Sequence, residues 1–133
     1  MNISRIIPLV TTSDLGAVKA FYTEHFGFKP SFEAPEYLAL TSTQSPHLEL
    51  GFMPPAKETC QPFDGKGMTF CLEVDDVDKE YERLVSEGVT PLGPPRDNPW
   101  GDRSFQVVDP CGVLLYINRP TKPAPEFEKY FKE

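Results

Sequence analysis

"SDLGAVKAFYTEHFGF", residues 13–28, contains a polar start, an apolar recurrence and a stop. Ser13 or Asp14 can accept the orphan backbone N–H groups of a helix N-terminus. Leu15, Val18 and Tyr22 recur at i, i+3 and i+7, with Phe21 beside them, which predicts an amphipathic helix. Gly27 follows, where a left-handed residue ends a helix at little steric cost. The same pattern returns in "VDDVDKEYERLVSEGV", residues 74–89: Asp76 as cap, Val77, Tyr81, Leu84 and Val85 on one stripe, Gly88 as stop.

The flanking segments repeat as well. "ISRIIPLVTT" before the first helix and "GMTFCLEV" before the second are rich in β-branched or apolar residues and predict strands. Three short segments follow each helix: "FKPSFEA", "EYLALTS" and "HLELGFM" in the first half, "VTPLGPP", "DRSFQVV" and "VLLYINR" in the second. The pattern is βαβββ twice, within one domain spanning residues 1–133: module one at 4–53, a connector at 54–66, module two at 67–119 and a C-terminal tail at 120–133. A short helix is expected in the tail. A four-stranded sheet with one helix leaves its other face uncovered, and two such modules side by side make an α+β fold with a curved mixed sheet, helices outside and a concave cleft for a ligand.

Composition narrows the function. The chain is 39% apolar and 25% charged, and its apolar runs are strand-sized, so neither a membrane span nor a signal peptide is expected. Cys60, Cys71 and Cys111 lack the spacing of a zinc ribbon or a disulfide framework, which favours a reducing cytoplasm. A net charge of −7 without a Lys/Arg cluster disfavours nucleic acid and, on its own, favours a cationic ligand. There is no GxSxG, P-loop or GxGxxG motif. In "HLEL", His47 and Glu49 are expected on one face of a strand, a geometry that can bind metal. His25 falls at the end of the first helix, where a cation suits the helix dipole.

The duplicated βαβββ pattern, the DL…FY…GF helix and the hairpin "PWGDRSFQVVDPCGVLLYI" (residues 99–117) together resemble the vicinal oxygen chelate superfamily, which includes glyoxalase, extradiol dioxygenases and bleomycin-resistance proteins. The resemblance covers residues 4–119. Metal-dependent members hold a divalent ion with one side chain from the first and last strand of each module. Those positions fall here on Ile7, Glu49, Thr69 and Tyr116, of which only Glu49 is a plausible ligand. A shift of one residue does not restore the set.

The resemblance therefore lies closest to the bleomycin-resistance branch, which binds drugs without a metal and without altering them. It implies no cofactor and a small, aromatic, cationic ligand such as an antibiotic. Trp100 would be the stacking platform, and Tyr116, Glu49, Ile7, Thr69, Phe32, Phe52 and His47 would be further ligand contacts. It also implies a homodimer that exchanges its first strand at a hinge near Pro8. The alternative is a divalent-metal lyase or dioxygenase of the same superfamily, using Glu49 and His47. A third reading is a regulatory dimer module with a closed cleft.

Overall fold

The computed structural model describes residues 1–55 and 61–132. Cys60 and part of the expected connector lie outside the described residues. The chain folds as two compact units, residues 1–66 with 110–112, and residues 67–109 with 113–133. Each contains one four-stranded mixed sheet and one long helix, so the fold is α+β with two tandem βαβββ modules.

The first module runs β1 (Leu9–Thr11), α1 (Leu15–His25), β2 (Phe28–Ala34), β3 (Tyr37–Ser42) and β4 (Glu49–Met53), with strand order β1-β4-β3-β2. β1 pairs in parallel with β4, and the other pairs are antiparallel. Asp14 caps α1 by accepting from the Ala17 N–H at 2.9 Å, and Gly27, at φ 68°, carries the chain out of it. Val18 and Tyr22 turn inward to join Val10, Leu38, Leu40 and Phe52 in the buried interior. Phe52 is fully buried, its ring 5.6 Å from that of Tyr22. This is the first apolar core.

The first strand is much shorter than the apolar run "ISRIIPLVTT" suggests. Pro8 lies just before it, not within it, and its carbonyl accepts from the Gly51 N–H at 2.8 Å. Residues 1–8 form no ladder, and Ile3, Ile6 and Ile7 are exposed.

The second module repeats the order with β5 (Thr69–Glu73), α2 (Val77–Ser86), β6 (Arg96–Asn98), β7 (Asp102–Val108) and β8 (Leu114–Pro120), arranged β5-β8-β7-β6. Asp76 accepts from the Lys79 N–H at 3.1 Å to cap α2, and Gly88 follows at φ 89°. Val77 and Leu84 are buried together with Phe105, Val107, Leu115 and Ile117, and Tyr81 meets Phe105 edge-on at 5.3 Å. Val85, expected on the same stripe, is 47% exposed.

The segment 89–95 is not the strand its place in the repeat predicts. Pro91, Pro94 and Pro95 have no N–H to offer a ladder, and β6 begins only at Arg96. The tail forms a short helix, α3 (Pro125–Glu128). No described helix is long and apolar enough to cross a membrane.

Candidate functional site

Each helix covers one face of its sheet, and the opposite faces differ. In the second module, strand alternation puts Tyr116 of β8 between Cys71 of β5 and Gln106 of β7. The next row of that face is Glu73, Asn118, Ser104 and Arg96. Beyond it, Asn98 and Asp102 face each other near the turn that carries Trp100.

A network joins these groups. The Tyr116 hydroxyl donates to Asp102 Oδ2 at 2.7 Å, and Asn98 Nδ2 donates to Asp102 Oδ1 and to Ser104 Oγ, both at 2.8 Å. Partial burial is the largest influence on the Tyr116 phenol and raises its pKa above 10.0, and the Asp102 carboxylate pushes in the same direction. Hydrogen bonds with Ser104 and Trp100 act the opposite way without cancelling the rise. Tyr116 is thus a neutral donor at physiological pH.

A cavity of about 310 Å³ lies over this network. Tyr116, Asn98, Ser104, Gln106 and Arg96 line it, with Trp100 on its wall. Its volume is at the lower end of the range for sites of drug-sized ligands, roughly 300–1,000 Å³. Trp100 is 47% exposed, so part of its indole surface is accessible at the cavity.

The Trp100 turn is held from behind by the tail. Thr121 N–H donates to the Gly101 carbonyl and Ala124 N–H to the Pro99 carbonyl, both at 2.8 Å. Gly101 has φ 113°, and a Cβ there would lie 3.2 Å from Pro123 Cβ and from the Thr121 carbonyl oxygen. Only glycine fits that turn without strain.

In the first module the open face is more apolar. Leu9, Gly51, Ala39 and Phe32 form one row, and Thr41 and Glu49 the next. Tyr37 leans over Gly51, where a Cβ would overlap the Tyr37 hydroxyl and come within 3.2 Å of Leu9 Cδ1. Glu49 is largely buried and forms an ion pair with Arg5 at 2.8 Å. It also lies 3.5 Å from the Thr41 hydroxyl, which donates towards it.

Several expected contacts are thus placed. Trp100 and Tyr116 come together at one cavity. Thr69 is on the same face as Tyr116, but Cys71, not Thr69, is directly beside it. Glu49 and Phe32 share the open face of the first sheet, and Ile7 is exposed just before β1.

Phe52 is a correction: it belongs to the core under α1, because three positions along a strand from Glu49 reverse the direction of a side chain. His47 is another: it sits in the turn closed by Leu48 N–H to the Ser45 carbonyl at 3.1 Å, outside the strand that carries Glu49. His25 packs edge-on against Phe21 at 5.8 Å at the end of α1.

Asn98, Asp102, Ser104, Gln106 and Arg96 were not among the expected contacts. Four of them were readable by counting across the hairpin. A tight turn at Asp109–Gly112 puts Gln106 opposite Tyr116, and alternation then brings Ser104 and Asp102 to the same face, with Asn98 opposite Asp102.

The donors at the four chelate positions do not fit a divalent ion. Ile7 has no donor atom, Glu49 is engaged by a guanidinium, and Thr69 and Tyr116 are neutral hydroxyls. Among the described residues no group of three or more His, Cys, Asp or Glu is placed to hold a metal.

These features define a small βαβββ-repeat protein with a ligand-sized cavity on one sheet. A family model described as the Glyoxalase/Bleomycin resistance protein/Dioxygenase superfamily matches residues 3–117, and the chain belongs to that superfamily. Its structure is similar to that of an antibiotic-binding protein from Streptomyces sp. CB03234, with TM-score 0.74 and 30% identity over 91% of this chain and 99% of the other. A bleomycin-resistance determinant encoded on the transposon Tn5 shares the fold at TM-score 0.69 and 24% identity, over 89% of this chain and 98% of that one. An uncharacterised protein of Mycobacterium bovis is 34% identical over 58 residues, 44% of this chain. The matched region spans 38% of that relative's length.

Proposed function

We propose that the protein binds and sequesters a small aromatic molecule, an antibiotic among the candidates, without a metal and without chemical change to the ligand. The observation that carries this reading is the cavity of the second module, where an exposed Trp100 ring stands over a floor of satisfied polar groups. Such a floor orients a ligand through hydrogen bonds but offers no activated nucleophile. The likeness to an antibiotic-binding protein at 30% identity supports the same class. The poor donor set at the chelate positions supports binding over metal-assisted chemistry. The protein acts in the cytoplasm as a homodimer that exchanges its N-terminal segment, a reading supported by the exposed Ile3, Ile6 and Ile7 ahead of Pro8 and by the very short edge strand β1.

A thermal-shift and calorimetric screen of aromatic antibiotics tests it on protein purified without chelator, with elemental analysis of the same sample. The expected result is a saturable shift with at least one aromatic compound, lost in Trp100→Ala, and no stoichiometric metal. Stoichiometric metal that disappears in Glu49→Ala together with a lyase or dioxygenase activity would overturn the proposal. Light scattering on the same sample is expected to give twice the chain mass.

A further inference from the structure

We infer that the cavity of the second module selects flat aromatic molecules that carry an anionic oxygen group, such as a carboxylate or an ionised phenol, with Arg96 as the residue that reads the charge. This rests on the reading of that cavity as an aromatic-binding site. It reverses the preference that net charge alone favours.

The charges on the cavity decide the matter. Two groups of opposite sign belong to this region, Arg96 on the cavity wall and Asp102 bonded to the lining residues Tyr116 and Asn98. Each oxygen of Asp102 already accepts a short bond, one from Tyr116 at 2.7 Å and one from Asn98 at 2.8 Å. That carboxylate is not among the residues that line the cavity, and it is reached only through Tyr116 and Asn98, whereas Arg96 is on the wall itself.

Arg96 differs from the other arginine of this hairpin. Arg103 points to the helix side and is held by Asp78 at 2.8 Å and Asp97 at 3.3 Å. Arg96 pairs in register with Ser104, on the face that carries Tyr116, and among the described residues it has no carboxylate partner. Asp97, its neighbour in sequence, points to the opposite face and is committed to Arg103. The charge presented to a ligand is therefore a guanidinium, whose planar fork matches a carboxylate in two parallel bonds.

The chain's overall charge of −7 does not reverse this. At physiological salt, exposed charges beyond about 8–10 Å are largely screened, and a contact with Arg96 is not. Gln106 lines the same wall and can serve a second oxygen of the ligand. Trp100 supplies the ring contact. An aromatic acid lying on the indole with its oxygens towards Arg96 uses each of these groups once.

Calorimetric titration of the full chain with three probes of one shape tests the inference: 2-naphthoate, neutral 2-naphthamide and 2-naphthylmethylammonium. The expected order is naphthoate at least about tenfold tighter than naphthamide, with the ammonium weakest, as a charge-assisted hydrogen bond would give. Arg96→Gln is expected to remove most of the naphthoate advantage and to weaken naphthamide far less, so that the ratio of the two affinities falls towards one. Trp100→Ala should weaken both. Binding of all three without a charge preference, a preference for the ammonium, or a naphthoate preference that survives Arg96→Gln would overturn the role of Arg96 and leave the aromatic site standing. No binding of naphthoate would overturn the inference, and no hit among the antibiotics as well would overturn the aromatic site with it.

Discussion

The two modules share a strand order, a cap and a stop, yet their uncovered faces have different chemistry. The first presents Leu9, Phe32 and Tyr37 around Gly51, with one carboxylate closed off by Arg5. The second presents Tyr116, Asn98, Ser104 and Asp102 as a bonded network below an open cavity. The helix-covered faces stay alike because each must bury one apolar stripe, and that requirement is the same in both copies. The open faces carry no such requirement and are free to diverge. A duplicated fold therefore preserves its architecture on one side of each sheet and places its specificity on the other.

The most severe test of this division concerns two phenylalanines of the first sheet. Phe52 lies on its covered face and Phe32, 55% exposed, on its open one. Phe52→Ala is expected to lower stability by about 3–5 kcal/mol, read as a shifted urea midpoint. Phe32→Ala should stay within about 0.5 kcal/mol. Comparable losses from the two would show that the open face is a core.

An intermediate effect is expected in the second module. Gly101→Ala forces a side chain into a glycine-only conformation against Pro123 and is expected to cost about 1–3 kcal/mol. Its distinguishing readout is the fluorescence of Trp100, the only tryptophan of the chain, which should shift to a more solvated emission. An unchanged spectrum would separate the tail contact from the position of the indole.

A smaller effect than that of Gly101→Ala is expected of Tyr116→Phe, about 1 kcal/mol for a partly buried hydrogen bond. Its pH dependence is more informative than its size. The folded phenol titrates above 10.0, so its contribution is complete below pH 10.0 and is lost as pH rises through the folded value. The wild type should lose stability faster than Tyr116→Phe in that alkaline window. Parallel alkaline profiles would show that the fold does not raise the Tyr116 pKa.

Much of the architecture was legible in local signals. Asp14 and Asp76 were readable as caps, Gly27 and Gly88 as stops, because these depend on one side chain and its nearest backbone. β2 and β3 coincide with the segments read from residue type. The displaced features depend on partners far along the chain. β1 is short because only Leu9–Thr11 find rungs on β4, whatever the apolar character of residues 3–7. β6 starts late because three prolines precede it, and that delay hid Arg96 from a reading by repeat position. At the site, Trp100 and Tyr116 were legible through a motif. Their polar supports needed the register of the hairpin, and Phe52 was misplaced only by neglect of strand parity.

The contact of the tail with the Trp100 turn has a practical consequence. Because Thr121 and Ala124 bond to Gly101 and Pro99, the C-terminal arm is mechanically linked to the mouth of the cavity. A tag or fusion partner joined after the arm is expected to disturb the cavity wall through those two bonds, and a dye attached to α3 to respond to changes at the indole turn. The arm is thus the natural place for a reporter of occupancy, and a poor place for a purification handle.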